Sequence, residues 1–298
     1  MILDRMCTLL FVPGHQPARF DKALPTGADG IVLDLEDAVS IHDKDMARAH
    51  VFDWLRASGK TSGGAAAGAL APLRCVRLNA QQGPYFAADD TALCEALAAG
   101  HAPDVVVLPK VESAQDIRAC RERWQRHTRV LPQLIVLIET AVGLQQVASI
   151  AQAPGVSGLG FGAADLSADL GCDMSWETLL YARGRIAHAA ALGRVALLDV
   201  PHLELDDEAG LRAQTLRAKA MGFTGKFSIH PRQVGPIREC FLPTAQEVER
   251  AQALVQAADL AQGKVCVIDG RMVDEPVVRS ARQVLARVAV SPPSKVTP

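Results

Sequence analysis

Eight short runs dominated by Val, Leu and Ile punctuate the chain. They begin near Cys7 (CTLLFV), Gly30 (GIVLDLED), Arg74 (RCVRLN), Asp104 (DVVVLPK), Leu134 (LIVLIET), Val156 (VSGLGFG), Arg194 (RVALLDV) and Gly225 (GKFSIH). None alternates apolar with polar residues; each is a continuous apolar stretch, the pattern of strands covered on both faces, as in a parallel sheet. Intervals of about 20 to 45 residues leave room for one crossover helix apiece, as a βαβ unit requires. Helical segments are expected over Ser113–Gln125, Gly143–Ala153, Trp176–Leu192 and Glu208–Met221. Eight such units predict an α/β fold, a closed (β/α)8 TIM-type barrel. The competing architecture is a doubly wound open sheet, which would carry a glycine-rich dinucleotide fingerprint after its first strand. There the chain reads PGHQPARF, with one glycine, and the later GLGFG at 158–162 does not open a helix in the required spacing.

Two segments stand outside the repeat. Residues 57–70 (ASGKTSGGAAAGAL) are rich in Gly and Ala without periodicity, which reads as a surface loop ahead of the third strand. Beyond the eighth unit, Thr244–Gly263 reads as a helix, followed by VCVIDGRMVDEPVVRSARQVLARV, with a short strand, a D-G turn signal and a further helix. The expected division is a barrel over 1–243 and a small C-terminal extension over 244–298. Too small to fold alone, that extension must dock on the barrel or on a neighbouring subunit.

Composition narrows the function classes. A length of 298 residues suits a single α/β barrel. Lys and Arg number 31 against 33 Asp and Glu, a net charge of −2, which removes the electrostatic reason for a nucleic-acid or membrane-surface partner. Aromatic residues are only 4%, so the core must be aliphatic. The cysteines Cys7, Cys75, Cys94, Cys120, Cys172, Cys240 and Cys266 form no C-x-x-C pair and read as reduced thiols rather than a disulfide or zinc framework. The apolar run at 7–12 is too short for a signal peptide, and no stretch approaches the ~20 apolar residues that span a bilayer. A soluble cytoplasmic protein is expected.

In barrels of this kind chemistry gathers at the carboxyl ends of the strands. The predicted ends carry Asp34, Glu36 and Asp37, then Arg77 and Asn79, Lys110 and Glu112, Glu139, Asp165, Asp199 and His230. So many carboxylates at one mouth call for a compensating cation. An oxygen-only donor set favours Mg2+ first and Mn2+ second. Glu139 and Asp165 are the best ligand candidates, although a strand-end carboxylate is as often a helix cap or ion-pair partner. Arg77 either pairs structurally with Glu36 or Asp37 or acts as a fork for a substrate carboxylate or enolate oxygen. Lys110 either forms a Schiff base, in a metal-free aldolase, or bridges to Glu112 or the carboxylate ring. His230 reads as a structural hydrogen-bonding residue. Arg19 and Lys22, at helical spacing after the first strand, form a solvated face or meet phosphate.

Taken together, LFVPG (10–14), VLDLEDAV (32–39), VRLNA (76–80), LPKVESAQDI (108–117), LIETAVG (137–143), GFGAADLSADLG (160–171), GFTGKFSIHPRQV (222–234) and DGRMVDEPVVRSA (269–281) resemble the citrate lyase β-subunit-like group of the HpcH/HpaI aldolase superfamily. That group includes malyl-CoA and citramalyl-CoA lyases. The resemblance spans essentially the whole chain in order. It implies a Mg2+-dependent lyase acting on a β-hydroxyacyl thioester of coenzyme A, assembled as a homotrimer or hexamer. It further implies that Glu139 and Asp165 bind the metal, that Arg77, Glu139, Ala164 and Asp165 contact substrate, and that Arg19 and Lys22 contact coenzyme A. Asp274 matches an aspartate that reaches a neighbouring active site as the catalytic acid or base. Ala163 stands where many relatives carry Ser, so no hydroxyl is supplied there. An acyl carrier protein partner, a thioesterase side activity and the identity of the 2-oxo acid stay open on sequence grounds.

Overall fold

A computed structural model describes residues 6–58, 71–260, 266–268 and 271–288. Eight parallel strands close into one barrel in chain order: β1 (Thr8–Pro13), β2 (Gly30–Asp34), β3 (Leu73–Arg77), β4 (Val105–Leu108), β5 (Gln133–Ile138), β6 (Val156–Phe161), β7 (Ala196–Asp199) and β8 (Gly225–Ser228). Closure is made by β1 against β8, with Leu10 opposite Ser228. Each predicted apolar run is a strand. Both faces are covered, which explains the continuous apolar pattern. Inward side chains (Leu9, Val32, Cys75, Val107, Ile135, Leu137, Ala196, Leu198 and Phe227) fill the barrel. Outward ones such as Leu10, Leu33 and Val106 pack against the helices in a second, continuous core.

The barrel interior is shaped by β6. A Cβ at Gly160 would fall 2.4 Å from Leu137 Cδ2 and 2.8 Å from the Phe227 ring, so glycine there lets its large neighbours meet across the axis.

The helices are α1 (Phe20–Ala23), α2 (Lys44–Ala57), α3 (Phe86–Ala98), α4 (Ala114–Trp124), α5 (Ala141–Ala151), α6 (Ala163–Leu170), α7 (Leu180–Gly193), α8 (Glu208–Ala220) and α9 (Pro231–Phe241). Their starts follow local chemistry. Ser113 and Asp116 form a reciprocal capping box on α4, and the Thr140 hydroxyl accepts from the Gly143 N–H on α5.

Beyond the barrel, α10 (Ala245–Leu260) packs on α11 (Glu275–Val288), with an antiparallel pair, β9 (Cys266–Ile268) and β10 (Arg271–Val273), between them. The extension thus carries two strands where one was expected. The D-G turn itself, the end of the predicted 244–263 helix, and the Gly/Ala-rich segment from residue 59 onward lie outside the described residues. Among the described residues no helix is long and apolar enough to cross a membrane.

Candidate active site

The mouth of the barrel is organised from β2 and β3. Their register sets Asp34 opposite Arg77, each the last residue of its strand. The Asp34 carboxylate, fully buried, accepts from Arg77 Nε at 2.7 Å and from Nη2 at 2.6 Å, and also from the backbone N–H groups of Glu36 and Ala38. Burial alone would push this carboxyl up. The Arg77 charge and the hydrogen bonds outweigh it and hold Asp34 below the ordinary carboxylate range. Arg77 is desolvated too, yet Asp34, Glu36 and Glu139 keep it firmly cationic. Its guanidinium lies 4.8 Å from the Phe11 ring centroid, which supports it from the β1 side.

From Arg77 the network continues through Glu36 to Lys110. Arg77 Nη1 lies 2.8 Å from Glu36 Oε2, and Lys110 Nζ donates to Glu36 Oε1 at 2.8 Å. The same ammonium stands 3.1 Å from Asp165 Oδ1, while the Lys110 backbone N–H donates to Glu139 Oε2 at 2.9 Å. Asp37 flanks the group, 3.7 Å from both Arg77 Nη1 and Lys110 Nζ. Five carboxylates therefore share two cationic side chains. Glu139 feels the imbalance most: burial raises its carboxyl, and the charges of Glu36 and Asp165 raise it further against the partial relief from Arg77 and Lys110. Glu36 is raised as well, chiefly by burial.

Two features fix where these carboxylates point. Asp165 lies in the first turn of α6, directly after the glycine-rich end of β6, with the exposed Ala164 beside it. Gly162 leaves the space that Glu139 fills: a Cβ there would fall 2.2 Å from Glu139 Cγ and 2.5 Å from Oε1. Behind the β2 loop, the buried Lys44 donates to the carbonyls of Leu35 and Glu36, both at 2.7 Å, and to Asn79 Oδ1 at 2.8 Å. Asn79 in turn donates to Asp89, which also accepts from Arg48. This shell holds the turn that carries Glu36.

The donor set fits a hard divalent ion. Glu139 and Asp165 are oxygen donors brought to one lysine, the negative charge is in excess, and Mg2+ usually takes one or two protein carboxylates with water or substrate completing its shell. Among the described residues no group of three or more His, Cys, Asp or Glu forms a ready-made cage. An open site of this kind needs none.

The sequence-predicted residues separate into those at the mouth and those elsewhere. Arg77 has both structural partners that were expected, Glu36 and more distantly Asp37, but its principal one is Asp34. Lys110 joins the carboxylate ring rather than Glu112. Its neighbours Glu36, Asp165 and Asp37 raise its pKa against burial, the opposite of what an imine-forming lysine needs.

Asp199 is a correction: though it ends β7, it turns toward the helices, where the fully buried Lys226 donates to it at 2.6 Å and Arg183 Nε of α7 lies 3.5 Å away. His230 caps α9, its Nδ1 accepting from the Arg232 N–H. Arg19 and Lys22 are exposed after β1. Asp274 precedes α11 and accepts from the Val277 N–H. The far end of α11 reaches a cavity with Arg194, Gly222 and Thr224, residues that lead into β7 and β8 at the opposite face of the barrel from the mouth. Among the described residues no hydrogen bond or ion pair joins Asp274 to Arg77, Glu139 or Asp165.

A closed barrel with an arginine, a lysine and five carboxylates converging on its carboxyl-terminal mouth has the architecture of a barrel enzyme. Residues 7–231 match the HpcH/HpaI aldolase/citrate lyase family, and the chain belongs to that family. It is 33% identical over 290 residues to the citrate lyase subunit beta of Leuconostoc mesenteroides subsp. cremoris, covering 93% of this chain and 91% of the relative. With the L-malyl-CoA/beta-methylmalyl-CoA lyase of Cereibacter sphaeroides it shares 31% identity over 315 residues, 94% and 93% of the two chains. The crystal structure of CitE from Mycobacterium tuberculosis, in complex with magnesium, acetoacetate and coenzyme A, superposes with a TM-score of 0.77 at 31% identity, over 96% of this chain and 99% of that one.

Proposed function

We propose that this protein is a Mg2+-dependent carbon–carbon lyase that cleaves, or forms, a β-hydroxyacyl-CoA thioester such as malyl-CoA, citramalyl-CoA or a citryl thioester, with acetyl-CoA and a 2-oxo acid as the other side of the reaction. The observation that carries this reading is the single network joining Arg77, Glu36 and Lys110 to Glu139 and Asp165. It pairs a fixed oxyanion donor with an oxygen-lined cation seat at one mouth.

Glu139 and Asp165 would hold the ion, with Mn2+ an acceptable substitute. Bound Mg2+ supplies Lewis-acid polarisation of the oxygen of the hydroxy or oxo acid. The remaining work falls to the protein. A guanidinium has five N–H donors; on Arg77 two of them are accepted by Asp34, and Glu36 pairs with Nη1 by charge. The others are free to donate to the thioester oxygen as enolate charge develops there. Because Asp34 fixes the plane of the fork, Arg77 needs no reorganisation during the reaction. Ala164, exposed beside Asp165, would contact the substrate. Arg19 and Lys22, exposed after β1, would meet the phosphates of coenzyme A. Asp274, delivered from a neighbouring subunit of a homotrimer or hexamer, would return to the enolate carbon the proton that the β-hydroxyl gives up as the carbon–carbon bond breaks, or remove one from acetyl-CoA in the condensation direction while the new hydroxyl gains one.

A second reading rests on the citrate lyase subunit beta relative, whose length the chain matches almost entirely: a subunit of a larger complex that takes its thioester on an acyl carrier protein. Turnover of free CoA thioesters by the isolated protein supports the stand-alone enzyme, whereas turnover that requires added acyl carrier supports the complex subunit. In either case a cytoplasmic enzyme is proposed.

A further inference from the structure

Lys110 follows β4 in left-handed backbone, at φ 50; among the described residues only Arg194 is another non-glycine with positive φ. A side chain is rarely tolerated there unless its surroundings over-determine it. The surroundings of Lys110 do so. Its backbone N–H is turned onto Glu139 Oε2 at 2.9 Å, while its ammonium reaches Glu36 Oε1 at 2.8 Å and Asp165 Oδ1 at 3.1 Å. One residue thus touches both proposed ligands, by two different groups.

The two contacts differ in kind. The N–H is a fixed neutral donor that orients Glu139 without competing for a cation. The ammonium is a full positive charge against the carboxylate that Asp165 would offer to an ion. It sits on a flexible four-carbon stem, 28% exposed, and a second seat is close by: Asp37, itself 56% exposed, lies 3.7 Å away. A divalent ion bound to Asp165 and the Lys110 ammonium in its present place would be like charges against one carboxylate.

We propose that the Lys110 ammonium is a built-in placeholder cation. In the ion-free protein it bridges Glu36 and Asp165 and holds the carboxylates in their ligand arrangement. When a divalent ion enters, it leaves Asp165 and stays with Glu36 and Asp37. The protein's intrinsic affinity for the ion is therefore set low by a competing charge of its own. This inference rests on the reading that Glu139 and Asp165 seat the ion.

The test is Mn2+ binding to the full-length protein, followed by electron paramagnetic resonance of free Mn2+, with no substrate and no turnover. K110M removes the charge and keeps the backbone N–H; K110N does the same in a residue at ease in left-handed backbone and serves if the first variant fails to fold. Either variant is expected to bind Mn2+ about tenfold tighter or more, as the loss of a like charge at contact distance demands. Unchanged or weaker binding overturns the placeholder role. E139Q separates the underlying reading: if it binds Mn2+ as well as wild type while K110M binds tighter, the competition stands and the Glu139 seat falls. If neither wild type nor K110M binds Mn2+ at all, both ideas fall together.

Discussion

Arg77 and Asp34 are joined by two parallel hydrogen bonds, at 2.7 and 2.6 Å, across neighbouring strands whose register sets the two residues opposite each other. The pair fixes the plane of the guanidinium at the mouth. It is also buried, so removing one partner strands the other away from water. Converting Asp34 to Asn should cost about 3 kcal/mol at neutral pH, by denaturant unfolding, the low end for a broken buried pair because Glu36 still faces Arg77. The sign with pH follows from the lowered Asp34 carboxyl. Its contribution is complete above the unfolded value of 3.8 and is lost as pH falls through the lower folded value. The gap between wild type and D34N should therefore close only in strong acid.

Gly162 is the residue whose substitution should disturb the proposed cation seat without replacing either proposed ligand. An added Cβ collides with Glu139 Cγ and Oε1, so Glu139 must rotate away. G162A is expected to retain the far-UV circular dichroism of the wild type and to bind Mn2+ about 10- to 100-fold more weakly, the usual cost of disturbing the support of a metal ligand. Wild-type Mn2+ affinity in G162A would show that Glu139 does not hold the ion.

Asp274 lies on an extension whose final helix ends at the far side of its own barrel. If it serves a neighbour's site, D274N and E139Q should each be inactive alone, yet co-expressed chains should regain turnover. Random mixing pairs an intact barrel with an intact tail in about a quarter of the sites, which sets the expected recovery. Mixed oligomers that stay inactive would place the catalytic acid within one chain.

The barrel was legible because its strands are buried on both faces, which leaves unbroken apolar runs such as VVVL at 105–108 and LIVLI at 134–138. Glu139 could be placed at the mouth because it follows β5 directly, and Asp165 because it stands in the first turn of the helix after the glycine-rich end of β6. Asp34's role was not legible: it depends on the register of β2 against β3, a property of the closed barrel rather than of either segment. Asp199 was misplaced for a related reason. Standing at a strand end does not say which face a side chain takes. With Ala196 and Leu198 facing inward, the two-residue alternation sends Asp199 outward to Lys226 and Arg183. The GFG glycine that makes room for Glu139 likewise gains its meaning only when β5 and β6 lie side by side.

The most direct measurement combines the protein, acetyl-CoA and Mg2+ with glyoxylate, pyruvate or oxaloacetate in turn, and reads the thioesters by mass spectrometry, with parallel samples containing a chelator or borohydride. A β-hydroxyacyl-CoA should form with at least one of the acids, vanish with the chelator and in E139Q, and leave no acid trapped on Lys110. A thioester formed undiminished in chelator, with the acid reductively fixed to Lys110, would contradict the divalent-ion account and make the protein a Schiff-base aldolase.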